Sequence, residues 1–181
     1  MDDVDEKTLV SRSLNGDPRA FETLIRLHEK VLYNVALRMT NNCEDARDLT
    51  QTTFLKAYRS LGSFDGRHKF FSWVYRILIN ETLNHLKRRR PQQQVAESLA
   101  SHEAGPEDLL QSRETRQRVY AALLELPADQ RQLVVLRHLL EMSYPEIQEV
   151  VRLPEKTIKW RLYEARQALA RVLKRHGVEG T

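Results

Sequence analysis

The sequence has only one cysteine, Cys43, among its 181 residues. A single thiol excludes an intrachain disulfide framework and a thiolate-rich zinc site, and it fits a reduced compartment. The chain also lacks a stretch of about 20 apolar residues that could span a bilayer. Its acidic start, Met1–Glu6, is unlike a signal peptide, which needs basic residues followed by an apolar run. We therefore expect a cytoplasmic protein with no membrane insertion.

Arrangements typical of catalysis are lacking too. The sequence has no glycine-rich phosphate loop, no nucleophile beside a base and no pair of carboxylates at catalytic spacing. The histidines do not show metal-ligand spacing. We therefore expect no enzyme, no cofactor and no metal site.

Period-two strand patterns are absent, whereas helix signals recur along the chain. Asp17 followed by Pro18 is typical of a helix start, and Asn42 is placed to cap the next helix. A third long helix is predicted from about residue 70 to residue 90. The pattern predicts an all-α protein with two small helical domains: about four helices, a linker, then about four more.

Charge is unevenly distributed, although the net charge is only +4. Residues 91–112 contain four acidic residues and no Lys or Arg, whereas basic side chains are concentrated in residues 63–90 and 152–176. Because residues 91–112 also show little apolar periodicity, we predict an acidic flexible linker between an N-terminal domain, 1–90, and a C-terminal domain, 113–181. Two separate basic segments indicate polyanion binding at two places.

Residues 143–162 carry the sharpest pattern in the C-terminal half. Ser143 and Glu146 have capping-box spacing, a short helix follows through Val151, and a tight break precedes a second, basic helix. This pattern predicts a helix-turn-helix, whose second helix enters the major groove of DNA. Periodicity alone leaves an ordinary helical hairpin as an alternative, but exposed aromatic residues on the outer face favour DNA. The candidate DNA-binding residues are Lys156, Thr157, Lys159, Trp160, Arg161, Tyr163, Glu164 and Arg166.

A helical wheel of residues 42–61 separates a core side from an outer side. The predicted core residues are Ala46, Leu49, Thr50, Thr53, Phe54, Ala57 and Leu61. On the opposite side lie Asp48, Thr52, Leu55 and Arg59, with Gln51 at the edge. A leucine among polar groups suggests a binding surface, but one exposed leucine is ordinary, and the wheel alone favours that simpler explanation.

The segment from residue 64 to residue 87 interleaves aromatic side chains with bases and amides. Such a segment favours single-stranded DNA, because rings stack on unpaired bases while lysine and arginine follow the phosphates. Trp73 could equally belong to the core. The candidate residues are Phe64, Arg67, His68, Lys69, Trp73, Arg76, Asn80, Asn84 and Lys87.

Three segments together resemble the extracytoplasmic-function (group IV) family of RNA polymerase sigma factors. Residues 126–137, with the helix-turn-helix that follows, are similar to the C-terminal domain of that family. Residues 44–59 resemble its helix that docks on the polymerase clamp, and residues 70–80 resemble its segment that melts the minus-ten element. The resemblance covers nearly the whole chain, residues 17–173.

This resemblance implies an alternative sigma factor that directs core RNA polymerase to specific promoters. The expected partners are the clamp and flap of core RNA polymerase, promoter DNA and an anti-sigma factor. The N-terminal domain would bind polymerase and the minus-ten element, the C-terminal domain would read an upstream element, and the linker would follow the polymerase active cleft. The residues that the resemblance assigns to polymerase contact are Asp48, Gln51, Thr52, Leu55 and Arg59.

The helix-turn-helix departs from the usual family pattern at three positions. Arg152 stands where the turn usually has glycine, so the turn either needs no positive φ or is strained. Lys156 stands where a second glycine is common, and Trp160 where a small hydroxyl residue is usual.

Two other functions remain open on the sequence. A stand-alone helix-turn-helix regulator would bind duplex DNA as a dimer without polymerase, but it leaves the aromatic segment of residues 70–80 unexplained. A polymerase adaptor with merely solvated basic faces is the second alternative.

Overall fold

The computed structural model describes residues 5–88 and 109–177, with residues 109–116 described by their backbone alone. Within these ranges the chain is all-α and has no strand. Helices α1–α4 form the N-terminal half, at Glu6–Leu14, Pro18–Thr40, Cys43–Ser60 and Phe70–Arg88. Helices α5–α8 form the C-terminal half, at Leu109–Glu125, Ala128–Val134, Tyr144–Val151 and Glu155–Arg175. No described helix is both long enough and apolar enough to cross a membrane.

The helix starts follow the capping signals of the sequence. Asp17 accepts hydrogen bonds from the backbone N–H groups of Arg19 and Ala20 at the start of α2. Asn42 accepts one from the N–H of Asp45, over 2.9 Å, at the start of α3. These side chains satisfy amide donors that have no partner within the helix. The predicted starts of both helices are therefore confirmed.

Two boundaries differ from the sequence prediction. Helix α1 precedes Asp17, where no helix was predicted. It begins with Asp5 as N-cap and buries only Leu9, Val10 and Ser13 along its nine residues. Helix α5 begins at Leu109 rather than near Arg113, so its first turn falls inside the predicted linker. The rest of that linker, residues 91–108, lies outside the described residues.

The N-terminal half is built on α2, which packs against α1, α3 and α4. In the C-terminal half, α8 packs against α5, α6 and α7. A turn of π-helix, Val135–Leu139, follows α6 directly and leads into the helix-turn-helix. The buried apolar residues of the two halves form one continuous cluster, because α4 packs against α7 and α2 against α5.

Arg131 joins the two halves within this core. Its guanidinium donates to the carbonyl oxygens of Leu123, Leu124 and Leu126 in its own half, and to that of Met39 at the end of α2. Burial lowers the pKa of Arg131 to about 10, so the side chain stays charged at neutral pH. A cation among carbonyls at helix C-termini is favourable, because the helix dipoles place negative charge there.

Candidate nucleic-acid and polymerase interfaces

Helix α3 presents the outer face that the helical wheel predicts. Every predicted core residue from Ala46 to Leu61 is buried. Asp48, Gln51 and Arg59 are exposed, and Thr52 is half-buried. Leu55 is 59% exposed, so an apolar side chain stands in solvent on an otherwise polar face.

Tyr58 extends this apolar patch, and it was not among the predicted residues. It is exposed, and its ring lies 5.0 Å from that of Phe21 on α2, measured between centroids. Its position, three residues after Leu55, places it on the same side of the helix. That spacing is the signal that could have identified it. We call Asp48, Gln51, Thr52, Leu55, Tyr58 and Arg59 the α3 face.

The loop between α3 and α4 is ordered by an acidic residue and a base. Asp65 accepts hydrogen bonds from the backbone N–H of Arg67, over 3.1 Å, and from its Nε, over 2.6 Å. These bonds from Arg67 lower the pKa of Asp65 to about 2. The loop is therefore fixed as a turn, and Arg67, His68 and Lys69 project from it as exposed side chains.

Three aromatic rings pack where this loop enters α4. Phe64 lies 5.3 Å from Trp73 and 5.7 Å from Phe70, and Phe70 lies 5.7 Å from Trp73. Trp73 is 7% exposed, so in this structure its ring is not open to a nucleic-acid base.

The rest of the predicted DNA surface follows the outer side of α4. Asn80, Asn84 and Lys87 are exposed, whereas Arg76 is half-buried. The pKa of Arg76 is lowered, mainly by burial and further by the neighbouring charge of Arg152. We call this loop and helix side the minus-ten surface, and its members are Phe64, Arg67, His68, Lys69, Trp73, Arg76, Asn80, Asn84 and Lys87.

The helix-turn-helix forms as predicted. Ser143 and Glu146 make a complete capping box at the start of α7. Arg152 ends that helix with φ 54° and ψ 42°, in the left-handed region that favours glycine. Of the two possibilities for this turn, the structure therefore shows the one with positive φ.

Helix α8 buries Ile158, Leu162, Ala165 and Val172 and turns its basic side to solvent. Trp160 is 58% exposed, and Lys156, Tyr163 and Arg166 are exposed beside it. Thr157, Arg161 and Glu164 are half-buried at the flanks of this surface. We call the eight predicted residues of α8 the recognition surface.

Lys159 on the recognition surface is held by two neighbours. Its Nζ lies 2.6 Å from Oε1 of Glu155 and 5.0 Å from the centre of the Tyr144 ring. The hydrogen bond to Glu155 raises the pKa of Lys159. Tyr144 was not predicted to support this residue, because their contact joins two helices.

Comparison with known proteins matches each half to a family. Residues 24–92 match sigma-70 region 2, and residues 116–169 match sigma-70 region 4. The chain is 33% identical to the RNA polymerase sigma-H factor of Pseudomonas aeruginosa, and the match covers 93% of each protein. It is 37% identical to the ECF RNA polymerase sigma-E factor of Escherichia coli, and the match covers 91% of this chain and 92% of that one.

This chain belongs to the extracytoplasmic-function family of RNA polymerase sigma factors.

Two solved structures share the arrangement of its helices. CnrH, in complex with the cytosolic domain of CnrY, matches with a TM-score of 0.73 and 27% identity, over 93% of this chain and 97% of that one. The sigma factor RpoE of Bartonella quintana, in complex with the anti-sigma factor NepR, matches with a TM-score of 0.68 and 30% identity, over 85% and 96%. The chain is thus an alternative sigma factor, a class of transcription initiation factor that acts without catalysis of its own.

The surfaces of this sigma factor fall within the matched regions. The α3 face and the minus-ten surface lie within region 2, and the recognition surface lies within region 4. The described side chains therefore form three surfaces, each built on a different helix.

Proposed function

We propose that this sigma factor docks on core RNA polymerase through the α3 face. The observation that carries the proposal is Leu55, an apolar side chain that the fold leaves exposed at the centre of this face. A leucine in this setting supplies apolar area to an interface, and the charged side chains of Asp48 and Arg59 around it supply orientation.

The minus-ten surface then binds the separated strand of the promoter. Arg67 and Lys69 supply positive charge for phosphates, His68 supplies a ring nitrogen for a hydrogen bond, and the amides of Asn80 and Asn84 supply donors and acceptors for base edges. Phe64 and Trp73 supply rings for stacking once the buried ring of Trp73 becomes accessible. The recognition surface reads the upstream element in duplex form through α8.

The domain division follows from these roles. Residues 1–90 form the polymerase and minus-ten domain, residues 91–112 the linker along the active cleft, and residues 113–181 the upstream-element domain, which contacts the polymerase flap. The protein works in the cytoplasm, where core polymerase and promoter DNA are found, and it belongs to group IV of the sigma factors. The structural relative RpoE was solved with the anti-sigma factor NepR, which supports an anti-sigma factor as a further partner.

Reconstituted transcription tests this function. The chain is mixed with core polymerase from its own bacterium and with genomic DNA fragments, and new transcripts are sequenced. We expect transcripts with common start sites only when chain and core are both present. A chain that binds duplex DNA tightly alone and initiates nothing with core polymerase would instead be a stand-alone regulator.

A further inference from the structure

The helix-turn-helix lies directly against the minus-ten surface in this structure. Nζ of Lys69 is 2.7 Å from Oε1 of Glu146, and Nδ1 of His68 is 3.0 Å from Oε1 of Glu149. Both carboxylates belong to α7, the first helix of the helix-turn-helix. Carboxylate oxygens of α7 thus contact two of the side chains that we propose bind DNA.

Beside these two contacts lies a cavity of about 220 Å³. Its walls come from both halves: Phe64, Trp73 and Arg76 on one side, and Glu149 and Arg152 on the other. Trp73 therefore faces α7 instead of solvent. At this end of the minus-ten surface Trp73 is buried, and His68 and Lys69 are paired with α7 although their side chains stay exposed. Asn80, Asn84 and Lys87 further along α4 are exposed and lie outside this contact.

We propose that the C-terminal half closes the minus-ten surface in the free protein, with Glu146 and Glu149 acting as mimics of DNA phosphates. We name these two carboxylates with Lys69 and His68 the latch. The inference rests on the proposed function, because it takes the minus-ten surface to be the site of the single strand. DNA and α7 then compete for the same side chains, so the free chain binds the single strand of the minus-ten element poorly until the latch opens.

The contact between α7 and the minus-ten surface is weak enough to be reversible. The two latch contacts lie at the surface, where water and salt weaken the Lys69–Glu146 ion pair. Inside the contact, Oε2 of Glu149 and Oγ of Ser72 are buried and have no hydrogen bond within the described part of the chain. Arg76 is repelled there by the charge of Arg152, although Glu149 attracts it. Because the surface ion pair is weak and these buried polar atoms lack hydrogen bonds, closure is reversible.

The latch leaves the two other surfaces accessible. Leu55 on the α3 face and Trp160 on the recognition surface are exposed in the closed arrangement. Polymerase can therefore reach the closed protein through α3. If polymerase binding requires the two halves to separate, the minus-ten surface is freed from α7 only once the protein is bound to polymerase.

Removing the latch carboxylates tests the proposal. Glu146→Gln combined with Glu149→Gln removes both negative charges, and glutamine keeps the capping box of α7. We expect this double variant to bind fluorescently labelled oligothymidine about three- to tenfold more tightly than the wild type in anisotropy titrations. Oligothymidine suits the test because stacking on aromatic rings tolerates any base.

The matched control is Glu22→Gln combined with Glu29→Gln. It changes the net charge equally, at two exposed positions on α2. It should bind oligothymidine as the wild type does. An equal gain in both double variants would overturn the latch, because it would reflect net charge alone.

Carbodiimide cross-linking shows closure directly, since this reagent couples an amine to a carboxylate in contact. In the free chain we expect a Lys69–Glu146 cross-link, identified by mass spectrometry, that saturating oligothymidine abolishes. The Lys56–Glu81 pair, 2.6 Å apart within the N-terminal half, should cross-link under both conditions. A missing Lys69–Glu146 cross-link beside a formed Lys56–Glu81 cross-link would overturn closure, as would one that persists with DNA bound.

These results separate the latch from the proposed function. If the wild type supports transcription with core polymerase but shows no latch, only the inference fails. If neither the wild type nor the latch variant binds oligothymidine, the minus-ten assignment fails and the inference fails with it.

Discussion

At the level of a single residue, a substitution at Leu55 should affect polymerase binding without affecting folding. Because it is 59% exposed, Leu55→Asp should melt near the wild-type temperature. Burying a leucine in an interface contributes about 1.5–3 kcal/mol, and an aspartate would also place an unpaired charge there. We therefore expect affinity for core polymerase to fall at least roughly tenfold, measured by fluorescence anisotropy with labelled protein.

Leu27→Asp is the matched control for that measurement. Leu27 is 55% exposed on α2, outside the α3 face. This variant should keep both its melting temperature and its affinity for core polymerase. A large loss of melting temperature in Leu55→Asp, or an equal loss of affinity in both variants, would contradict the role of Leu55.

Arg152 tests the turn of the helix-turn-helix at the backbone. Its φ of 54° costs a side-chain-bearing residue about 1–2 kcal/mol, partly offset by the chain entropy that glycine loses on folding. Arg152→Gly should therefore raise the free energy of unfolding by about 0.5–1 kcal/mol in urea titrations. Arg152→Ala removes the same charge and keeps the backbone strain, so its free energy of unfolding should be lower than that of the glycine variant. Equal stability of the two variants would show that the turn stores no strain.

At the level of the element, α8 separates a phosphate contact from a base contact. Lys159→Ala should weaken binding of the reconstituted holoenzyme to every upstream sequence and reduce its salt dependence by about one charge. Trp160→Ala should instead change which sequences are preferred. Because both side chains are exposed, circular dichroism should show unchanged helix content. Unaltered promoter selection in both variants would place the reading residues elsewhere.

The elements themselves could largely be predicted from the sequence, because their signals are local. Asp17, Asn42 and Ser143 lie within three residues of the amides that they cap, so spacing alone reveals them. The wheel of α3 succeeded for the same reason, since one strongly amphipathic helix fixes its own buried side. Helix α1 was missed because nine residues with few apolar positions give a weak periodic signal.

The contacts between elements could not be predicted. Lys69 and Glu146 are 77 positions apart, and nothing local to either residue indicates the pair. Trp73 was left open between core and DNA because its helix is apolar on more than one side. The structure buries it against Phe64 and Phe70 and beneath α7, a position that depends on how the halves meet.

At the level of the whole molecule, Glu146 reports on the contact between the halves. The hydrogen bond from Lys69 is the largest cause that lowers its pKa to about 2, and the backbone N–H of Ser143 adds to it. The pKa of Glu146 in the folded protein lies below its ordinary value of 4.5. The ionised carboxylate therefore stabilises the closed fold fully at pH values above 4.5. This contribution disappears as the pH falls from 4.5 to about 2.

Lys69→Met should therefore raise the pKa of Glu146 towards its ordinary value, as followed by NMR titration of the side-chain carboxyl. Arg67→Met is the control, because it removes a cation of the same loop that binds Asp65 instead. An unchanged pKa of Glu146 in Lys69→Met would show that the capping box alone lowers it, and that the halves are not in contact in solution.

Promoter opening tests the central claim most directly. Permanganate oxidises thymines only where they are unpaired, so it maps strand separation on promoter DNA identified by reconstituted transcription. We expect reactive thymines in the minus-ten element when this chain and core polymerase are both present, and none with either alone. Protection of duplex DNA by the chain alone, with no reactive thymine after core polymerase is added, would contradict its role in promoter opening.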